Sequence, residues 1–192
     1  YRFVGGVDEA GRGPLAGPLV ASCVILLPQM TLSGLADSKK LSPARREHLF
    51  EAIVHSAFSI GISIVSEKMI DCVGIQTANI YAFREAVAHA SRSHAPDYLI
   101  LDWLTLPGIH LPSISTSHAE SKSWSVAAAS IVAKVFRDRL MRDDYDPFFP
   151  EYGLASHKGY GTLAHRENMK QYGLAPCHRR SFCRAFTKRT GE

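Results

Sequence analysis

The fold of this chain follows from one short stretch near its start, VGGVDEAGRGP at residues 4–14. An apolar strand ends there in two adjacent carboxylates, Asp8 and Glu9, and a glycine-flanked arginine, Arg12, comes next. Glycines let the backbone approach a ligand and expose bare N–H groups, while a planar guanidinium suits phosphate. Successive strand residues point to opposite faces, so both acids reach one site only where pairing breaks or where two ions lie at the strand end. The stretch therefore predicts a site for metal and phosphate.

Further strands are expected around this stretch. Apolar runs at residues 3–7 and 19–27 flank a Gly/Pro-rich turn, which predicts an antiparallel pair with the site at the edge of a sheet. Three more strands are expected at residues 58–65, 98–101 and 111–114. The second of these would deliver Asp102 at its C-terminal end, where ligand sites of α/β sheets form.

Helical signals lie between and after these strands. Ser42 is a typical N-cap and Pro43 fits the first helical turn, so we expect a helix from there to about Ser56. Its predicted apolar stripe consists of Leu49, Phe50, Ile53 and Val54. Other helices are expected at residues 75–91, 123–141 and 163–172, with a short one beginning at residues 66–67. The pattern predicts an α/β protein with a mixed sheet, in a single domain over residues 1–192 whose part after about residue 145 clamps the substrate.

Composition narrows the class of protein. With 192 residues, 46% of them hydrophobic, the chain can bury one full core, and a net charge of +4 favours a polyanionic partner without identifying one. The four cysteines form no C-x-x-C pair, so we expect reduced thiols in a cytoplasm, and a soft-metal site at Cys177, His178 and Cys183 lacks a fourth ligand. The longest apolar run, residues 18–28, is too short to cross a bilayer. We expect a soluble, cytoplasmic monomer without membrane contact, and the sequence indicates no protein partner.

The acidic residues are the candidate catalytic groups. Asp8 and Glu9 follow an apolar run, where an uncompensated pair of negative charges is costly and a hard cation such as Mg²⁺ or Mn²⁺ is the natural compensation. Asp102, at the end of another predicted strand, is the third candidate ligand. Four carboxylates at one place would raise one another's pKa, so we expect metal and substrate phosphate to balance their charge.

Six motifs occur in the order typical of one family. They are DEAGRGPLAGP at residues 8–18, DSKKLS at 37–42, LILD at 99–102, AAASIVAKVFRD at 127–138, HKGYGT at 157–162 and HRRSF at 178–182. Together they resemble the type 2 ribonucleases H, and specifically the bacterial ribonuclease HII family, over nearly the whole chain. The resemblance implies the ribonuclease H-like fold, in which helices flank a mixed central sheet and a helical C-terminal extension follows.

The resemblance also implies an activity and a ligand set. It implies an endonuclease that cuts the RNA strand of RNA–DNA hybrids and nicks duplex DNA 5′ to embedded ribonucleotides, and so removes ribonucleotides from DNA. Water activated by two Mg²⁺ or Mn²⁺ ions would leave a 3′-hydroxyl and a 5′-phosphate. The implied ligands are Asp8, Glu9, Asp102 and Glu120. At the last position the family usually has aspartate, so the longer side chain would hold the second ion differently. Asp138 is a rival, but a helix from residue 123 carries it several turns away and an Arg–Asp pair explains it.

Substrate contacts are implied in the same way. Gly11, Arg12 and Gly13 would surround the 2′-hydroxyl at the cut, and Tyr160 would stack on the following deoxyribose and sense the RNA–DNA junction. Candidate phosphate contacts are Lys39, Lys40, Ser121, Lys122, His157, Lys158, Arg179 and Arg180. His157 and His165 are also candidate acid–base catalysts, for which substrate contact or solvent exposure is the simpler interpretation.

Two other functions stay open. A dinucleotide-binding protein is suggested by Gly11-x-Gly13-x-x-Ala16, but that fingerprint needs a helix opening at Gly13, where this sequence predicts a turn and a strand. A hybrid-binding protein with an impaired site is suggested by Glu120 and by Trp103, which stands where the family commonly has glycine. A ring at that position would crowd the site or stack on substrate.

Overall fold

A five-stranded mixed sheet forms the centre of the protein in the computed structural model, which describes residues 1–27, 30, 34–35 and 41–186. The strands are β1 (Val4–Ala10), β2 (Leu19–Ile25), β3 (Ser59–Val65), β4 (Tyr98–Asp102) and β5 (Ser113–Thr116). Their order across the sheet is β3-β2-β1-β4-β5. The first three strands pair antiparallel, whereas β1–β4 and β4–β5 are parallel. The predicted α/β class and the antiparallel opening pair are confirmed.

The strand β1 is the centre of the sheet, so the expectation that the site lies at a sheet edge is wrong. The reason is that β4, which follows much later in the chain, adds to the side of β1 that β2 leaves open. The two ladders end at different points: β1 pairs with β2 as far as Ala10, but with β4 only as far as Val7. Asp8 and Glu9 therefore stay paired to β2 and extend past the ladder with β4. Pairing breaks on one side of β1 only.

Helices cover both faces of the sheet. The long helix α2 (Glu67–Ser91) packs on the face that carries Val7, and α1 (Pro43–Ser56) and α3 (Trp124–Arg139) pack on the other. The predicted bounds of α1 are confirmed, with Ser42 Oγ accepting from the Arg45 N–H as the N-cap. Within the predicted stripe, Leu49, Phe50 and Ile53 are buried, but Val54 is exposed.

Several element bounds differ from the predictions by a few residues. The helix α2 joins the two predicted helical segments across a kink at Gly74, where φ is 78°. The helix α3 ends at Arg139, and a π-helical turn (Leu140–Tyr145) takes its place before the predicted end. The strand predicted at residues 111–114 forms two residues later, as β5.

The C-terminal portion consists of short helices with their own apolar cluster. They are α4 (Asp146–Phe148), α5 (Leu154–His157) and α6 (Leu163–Tyr172). The cluster contains Ala16, Met141, Tyr152, Leu154, Met169, Cys177 and Cys183. Ala16 belongs to the loop after β1, so this cluster packs the C-terminal portion directly on the loop that carries Gly11–Gly13. The helical C-terminal extension is confirmed, as is α6 with its predicted bounds.

A loop follows Gly13 and leads into β2, so the helix that a dinucleotide fingerprint requires is absent there. In the described part of the chain, none of the helices has the length and apolar character needed to cross a membrane.

Candidate active site

Asp8 is a buried acid on the face of β1 that α3 covers. Only 6% of the residue is exposed, and its Oδ1 accepts a hydrogen bond from the Glu9 N–H at 2.7 Å. Burial raises the pKa of Asp8 well above its ordinary value, and the charges of Glu9 and Asp102 raise it further, while the Ser130 hydroxyl on α3 lowers it. The ionised carboxylate is therefore costly here without a cation.

Glu9 points to the opposite face, towards α2. Burial raises the pKa of Glu9 to about 7, against the lowering effects of Arg12 and of the Asn79 amide on α2. Arg12 Nη1 lies 3.6 Å from Glu9 Oε1. The other oxygen, Oε2, is buried and has no hydrogen-bond partner among the residues that the structure describes. A buried acceptor of this kind fits a ligand that the protein itself does not supply.

Asp102 and Glu120 are joined through one short turn. Asp102 Oδ1 accepts from the Ala119 N–H at 2.9 Å, and Ala119 begins the 3₁₀ turn Ala119–Ser121 that contains Glu120. Glu120 is 5% exposed, with Oε1 3.8 Å from Nδ1 of the exposed His118. The ends of β1 and β4 thus bring Asp8, Glu9 and Asp102 within electrostatic reach of one another, with Glu120 beside Asp102.

The donor chemistry of this acidic group fits a hard divalent cation, because every donor is a carboxylate and one buried oxygen is unsatisfied. As the side chains stand, no three His, Cys, Asp or Glu residues converge on a common metal position anywhere in the described ranges. The same finding speaks against a metal site at Cys177, His178 and Cys183. The rival acid Asp138 is ion-paired with Lys134 at 2.7 Å and with Arg46 at 3.9 Å, so the expected Arg–Asp pair is present, with Arg46 as the arginine.

A buried arginine that the sequence analysis missed, Arg137 on α3, holds the loop after β1. It donates three hydrogen bonds to backbone carbonyls: Nε to Pro18 at 2.8 Å, Nη2 to Ala16 at 3.1 Å and Nη1 to Lys158 at 3.0 Å. A Cβ atom on Gly11 would collide with this guanidinium, and Gly11 has a φ of 97°, so only glycine fits there. The signal available in the sequence was a single arginine on a largely apolar face of the predicted helix.

Arg179 holds the same loop from the C-terminal portion. Its Nη2 donates to the carbonyl of Gly11 at 2.6 Å, Nη1 to Arg12 at 3.0 Å and Nε to Gly17 at 2.9 Å. The residue is fully buried, so the expected direct contact with phosphate does not fit its position. All three of its guanidinium nitrogens donate to backbone carbonyls. No pattern in the sequence predicted these contacts.

The buried arginines share one acidic neighbour. Glu67, at the start of α2, is 6% exposed, and its negative charge raises the pKa of both Arg137 and Arg179 against the lowering effect of burial. Burial likewise raises the pKa of Glu67, which also bonds Tyr145. The group of Glu67, Arg137 and Arg179 is thus a charged cluster that the protein keeps beneath the loop.

An open cleft of about 470 Å³ lies beside the acids. It is lined by Glu9, Ala10, Gly11, Arg12, Gly13, Arg46, Ser130, Ile131, Lys134 and Tyr160. Ser130 and Lys134, one turn apart on α3, were quoted within a motif but not singled out, and Arg46 on α1 was missed. Tyr160 is 43% exposed, with Lys134 Nζ 5.8 Å from its ring centroid. The predicted Gly11–Gly13 loop and Tyr160 therefore share one cleft with two unpredicted cations.

The other candidate phosphate contacts differ in their exposure and in their hydrogen-bond partners. Lys158 takes a left-handed backbone conformation and its ammonium donates to the Ala155 carbonyl. Ser121 Oγ donates to the His118 carbonyl at 2.7 Å, and Lys122 Nζ donates to Ser117 O at 2.9 Å. Arg180 is exposed, while Lys39 and Lys40 lie outside the described residues.

The histidines of the C-terminal portion form a stacked group instead of a solvated one. His165 is fully buried, with its ring 4.4 Å from that of His157. His157 Nε2 bonds the Tyr152 carbonyl at 2.9 Å and its Nδ1 accepts from the Gly159 N–H at 3.2 Å. Both nitrogens of His157 are therefore occupied by the protein's own backbone. The expectation that His165 meets substrate or solvent is therefore wrong.

Comparisons with known proteins identify the family of this chain. The family model described as ribonuclease HII matches residues 5–185. This chain belongs to the ribonuclease HII family. A ribonuclease HII of Clostridioides difficile (strain 630) is 49% identical over 182 residues, which cover 95% of this chain and 70% of that protein. One from Geobacter sulfurreducens is 45% identical over 192 residues, covering 100% and 87%.

Solved structures show the same fold. The ribonuclease H2 of Pyrococcus horikoshii OT3 superposes with a TM-score of 0.82 at 28% identity, covering 97% of this chain and 98% of that one. The ribonuclease HII of Archaeoglobus fulgidus, solved in a complex with PCNA, gives 0.76 at 26% identity with the same coverage. A ribonuclease HIII named Bst, solved with Mn²⁺, shares the fold alone, at a TM-score of 0.68 and 18% identity over 98% of this chain and 71% of that one. The family resemblance of the motifs is confirmed, and the chain is a member of a nuclease family.

Proposed function

We propose that this member of the ribonuclease HII family hydrolyses the RNA strand of RNA–DNA hybrids and nicks duplex DNA 5′ to an embedded ribonucleotide. The observation that carries the proposal is the group of acids formed by the buried Asp8 and the partly buried Glu9 and Asp102, at the ends of two parallel strands beside a cleft with cationic walls. Attack by water on the phosphorus, with the bond from phosphorus to the 3′-oxygen breaking, would leave a 3′-hydroxyl and a 5′-phosphate. In the cell this reaction would begin the removal of ribonucleotides from DNA.

In this proposal two divalent ions, Mg²⁺ or Mn²⁺, are held by the carboxylates of Asp8, Glu9, Asp102 and Glu120. Bound there, the ions would supply an activated water and stabilise the oxygen that leaves phosphorus. The raised pKa values of Asp8 and Glu9 support a cation, because a positive charge offsets the cost of ionising buried carboxylates. Glu120 has one methylene more than aspartate, so its carboxylate reaches further from the turn that carries it.

Recognition of the ribose is assigned to the loop of Gly11, Arg12 and Gly13. Gly11 is glycine because Arg137 fills the space where a side chain would lie, but a Cβ atom on Gly13 would meet nothing within 4 Å. The protein's own packing therefore gives no reason for glycine at position 13. Close approach of a substrate supplies one, since a bare backbone can reach a 2′-hydroxyl that is both donor and acceptor.

The cations of the cleft then position the phosphates. Lys134 and Arg46 line the cleft near Tyr160, which we propose contacts the deoxyribose that follows the ribonucleotide. Arg137 and Arg179 support the loop from beneath, because their hydrogen bonds hold its carbonyls in place. Phosphate contacts of this kind fix the register of the duplex and read no sequence.

The proposal is tested with a labelled DNA duplex that contains one ribonucleotide, incubated with Mg²⁺ and separately with Mn²⁺. We expect a single nick 5′ to the ribonucleotide, lost by orders of magnitude in Asp102→Asn and in Glu120→Gln, and kept in Glu120→Asp. The matched control is Glu85→Gln, which changes an exposed acid on α2 in the same way and should cut like the wild type.

Trp103 and Glu120 favour one alternative, a hybrid-binding protein of the same fold with an impaired site. Trp103 is 54% exposed directly after Asp102, and its ring contacts Arg12, which lines the cleft. If wild type binds the hybrid without cutting it in either metal, and Glu120→Asp gains cleavage, this alternative replaces the enzyme. If Asp102→Asn abolishes cutting while binding persists, the enzyme stands.

A further inference from the structure

The residue after Asp102 has an unusual backbone for its type. Trp103 has a φ of 58°, in the left-handed region that side chains with a Cβ atom rarely adopt. The conformation is held by the sheet, because the Trp103 N–H donates to the Thr116 carbonyl at 3.1 Å as β4 ends. Strained residues of this kind concentrate at functional sites.

The indole is kept at the surface although leucines that follow it closely in the chain are buried. Trp103 is 54% exposed, whereas Leu104 and Leu106, which follow it, are 6% and 3% exposed. Packing of the core therefore does not explain the tryptophan. A large flat side chain with one N–H donor is left open to solvent beside the acids.

One face of this ring is in contact with Arg12. The Arg12 Cζ lies 4.7 Å from the ring centroid, a cation–π distance, and the same guanidinium lies 3.6 Å from Glu9 Oε1. The contact bridges the ends of β1 and β4, the two strands that carry the acids. It also limits the positions that Arg12 can take, because the guanidinium is held between the ring and a carboxylate.

We propose that Trp103 is a substrate-contacting residue whose exposed indole packs against a sugar of the strand to be cut while its other side holds Arg12. The partner is a sugar because the bases of a duplex are stacked inside it, whereas ribose and deoxyribose lie at the groove edge. The inference rests on the proposed function, since it assumes that a hybrid enters this cleft.

Fluorescence tests the contact directly, because the chain has only two tryptophans. Trp124→Phe leaves Trp103 as the single indole, and Trp103→Phe leaves Trp124, which is 45% exposed in a separate cavity near Tyr1 and Arg2. Each variant is titrated with acrylamide, a neutral quencher, with and without a saturating RNA–DNA hybrid in Ca²⁺. Binding is followed separately by the anisotropy of a labelled hybrid.

We expect the hybrid to lower the quenching constant of Trp103 and to leave that of Trp124 unchanged. In cleavage assays Trp103→Gly should relieve the backbone and raise KM about tenfold, the loss expected for one stacked nucleotide, with little change in kcat. Trp103→Phe keeps a flat ring and should recover most of that loss, which a purely structural role would not produce.

The two levels of failure are distinguishable. Full anisotropy with unchanged quenching of Trp103, or a KM in Trp103→Gly equal to the wild type, overturns the sugar contact and leaves the enzyme intact. Absence of any hybrid binding by wild type removes the proposed function and this inference together.

Discussion

Nε2 of His165 lies 3.1 Å from Nε2 of His178, and both residues are buried. One nitrogen must donate and the other accept. His165 Nδ1 is bonded to the Tyr160 carbonyl at 2.9 Å, so it carries the proton and its Nε2 accepts from His178. His178 Nδ1 then accepts from the Ala175 N–H at 3.0 Å. The arrangement is consistent only when both rings are neutral, since a second proton would set two donors against each other.

Acid should weaken the fold through this pair. Burial, followed by the charges of the neighbouring histidines, lowers the pKa of His165 from 6.5 to about 4, and burial lowers the pKa of His178. Between about pH 6.5 and pH 4 the unfolded chain binds more protons than the folded one, so the free energy of unfolding falls as the pH falls, by at most about 3 kcal/mol for His165. Urea unfolding at several pH values measures this dependence.

The control for this pair is His165→Asn, whose amide can still donate towards the Tyr160 carbonyl. Its stability will be lower at pH 7.5, but its loss of stability between pH 6.5 and 4.5 should be smaller than that of the wild type. Equal pH dependence in the two proteins would show that the histidine pair does not carry the effect.

Glu9 should have the opposite pH dependence in metal-free protein. Its pKa is raised from 4.5 to about 7, so the folded state binds the extra proton and the free energy of unfolding falls as the pH rises through that window. Glu9→Gln should therefore be more stable than wild type at pH 8 without metal.

Added Mn²⁺ should raise Tm in wild type by several degrees and in Glu9→Gln much less, because a bound ligand stabilises by mass action. Calorimetry at pH 8 with and without chelator measures both effects. A Tm gain in Glu9→Gln as large as in the Glu85→Gln control would rule out Glu9 as a ligand.

Replacing Arg179 and replacing Lys134 should have different effects on the salt dependence of hybrid binding. Arg179→Lys cannot reach three carbonyls at once, so it should cost about 2 kcal/mol of stability and leave the salt dependence of hybrid binding unchanged. Lys134→Ala removes a cation that lines the cleft, so the slope of log K against log salt should become shallower by about 1. Anisotropy titrations from low to high salt give the slopes, with Lys68→Ala on α2 as the exposed control. A shallower slope in Arg179→Lys would place that residue on a phosphate after all.

Tyr160 should matter more for single ribonucleotides than for long RNA. The residue is 43% exposed, so Tyr160→Ala should fold normally. We expect nicking at one embedded ribonucleotide to fall about tenfold, the scale of one lost aromatic contact, with a much smaller loss on an all-RNA strand. The control is Tyr81→Ala, a tyrosine of equal exposure on α2. Equal losses on both substrates would remove the junction-sensing role.

Local sequence signals predicted the helices and strands of this fold well, whereas contacts between distant segments could not be predicted from them. The start of α1 is encoded by Ser42 and Pro43 themselves, and its bounds were correct. The position of β1 at the sheet centre depends on β4, and the burial of Arg179 depends on carbonyls such as that of Arg12, 167 residues earlier. Neither has a local sequence signal.

Among the residues of the site, those within motifs were likewise predicted, and those that depend on distant contacts were missed. The family motifs identified Asp8, Glu9 and Asp102, and the structure brings these three acids together. Asn79 beside Glu9 was missed, because an asparagine within a helix gives no sign of which strand it faces. The metal ligands, the substrate contacts and the extent of the domain stay predictions.

The two arginines beneath the loop also bear on the order of events during synthesis. A ribosome adds Arg137 and Arg179 long after the strand that bears Asp8. A nascent chain that has not yet reached Arg179 already contains all five strands, but the loop that is proposed to meet nucleic acid lacks the hydrogen bonds that Arg179 donates to Gly11, Arg12 and Gly17. The proposed nuclease loop can therefore be fully anchored only after Arg179 has been added, later in synthesis than the last strand of the sheet.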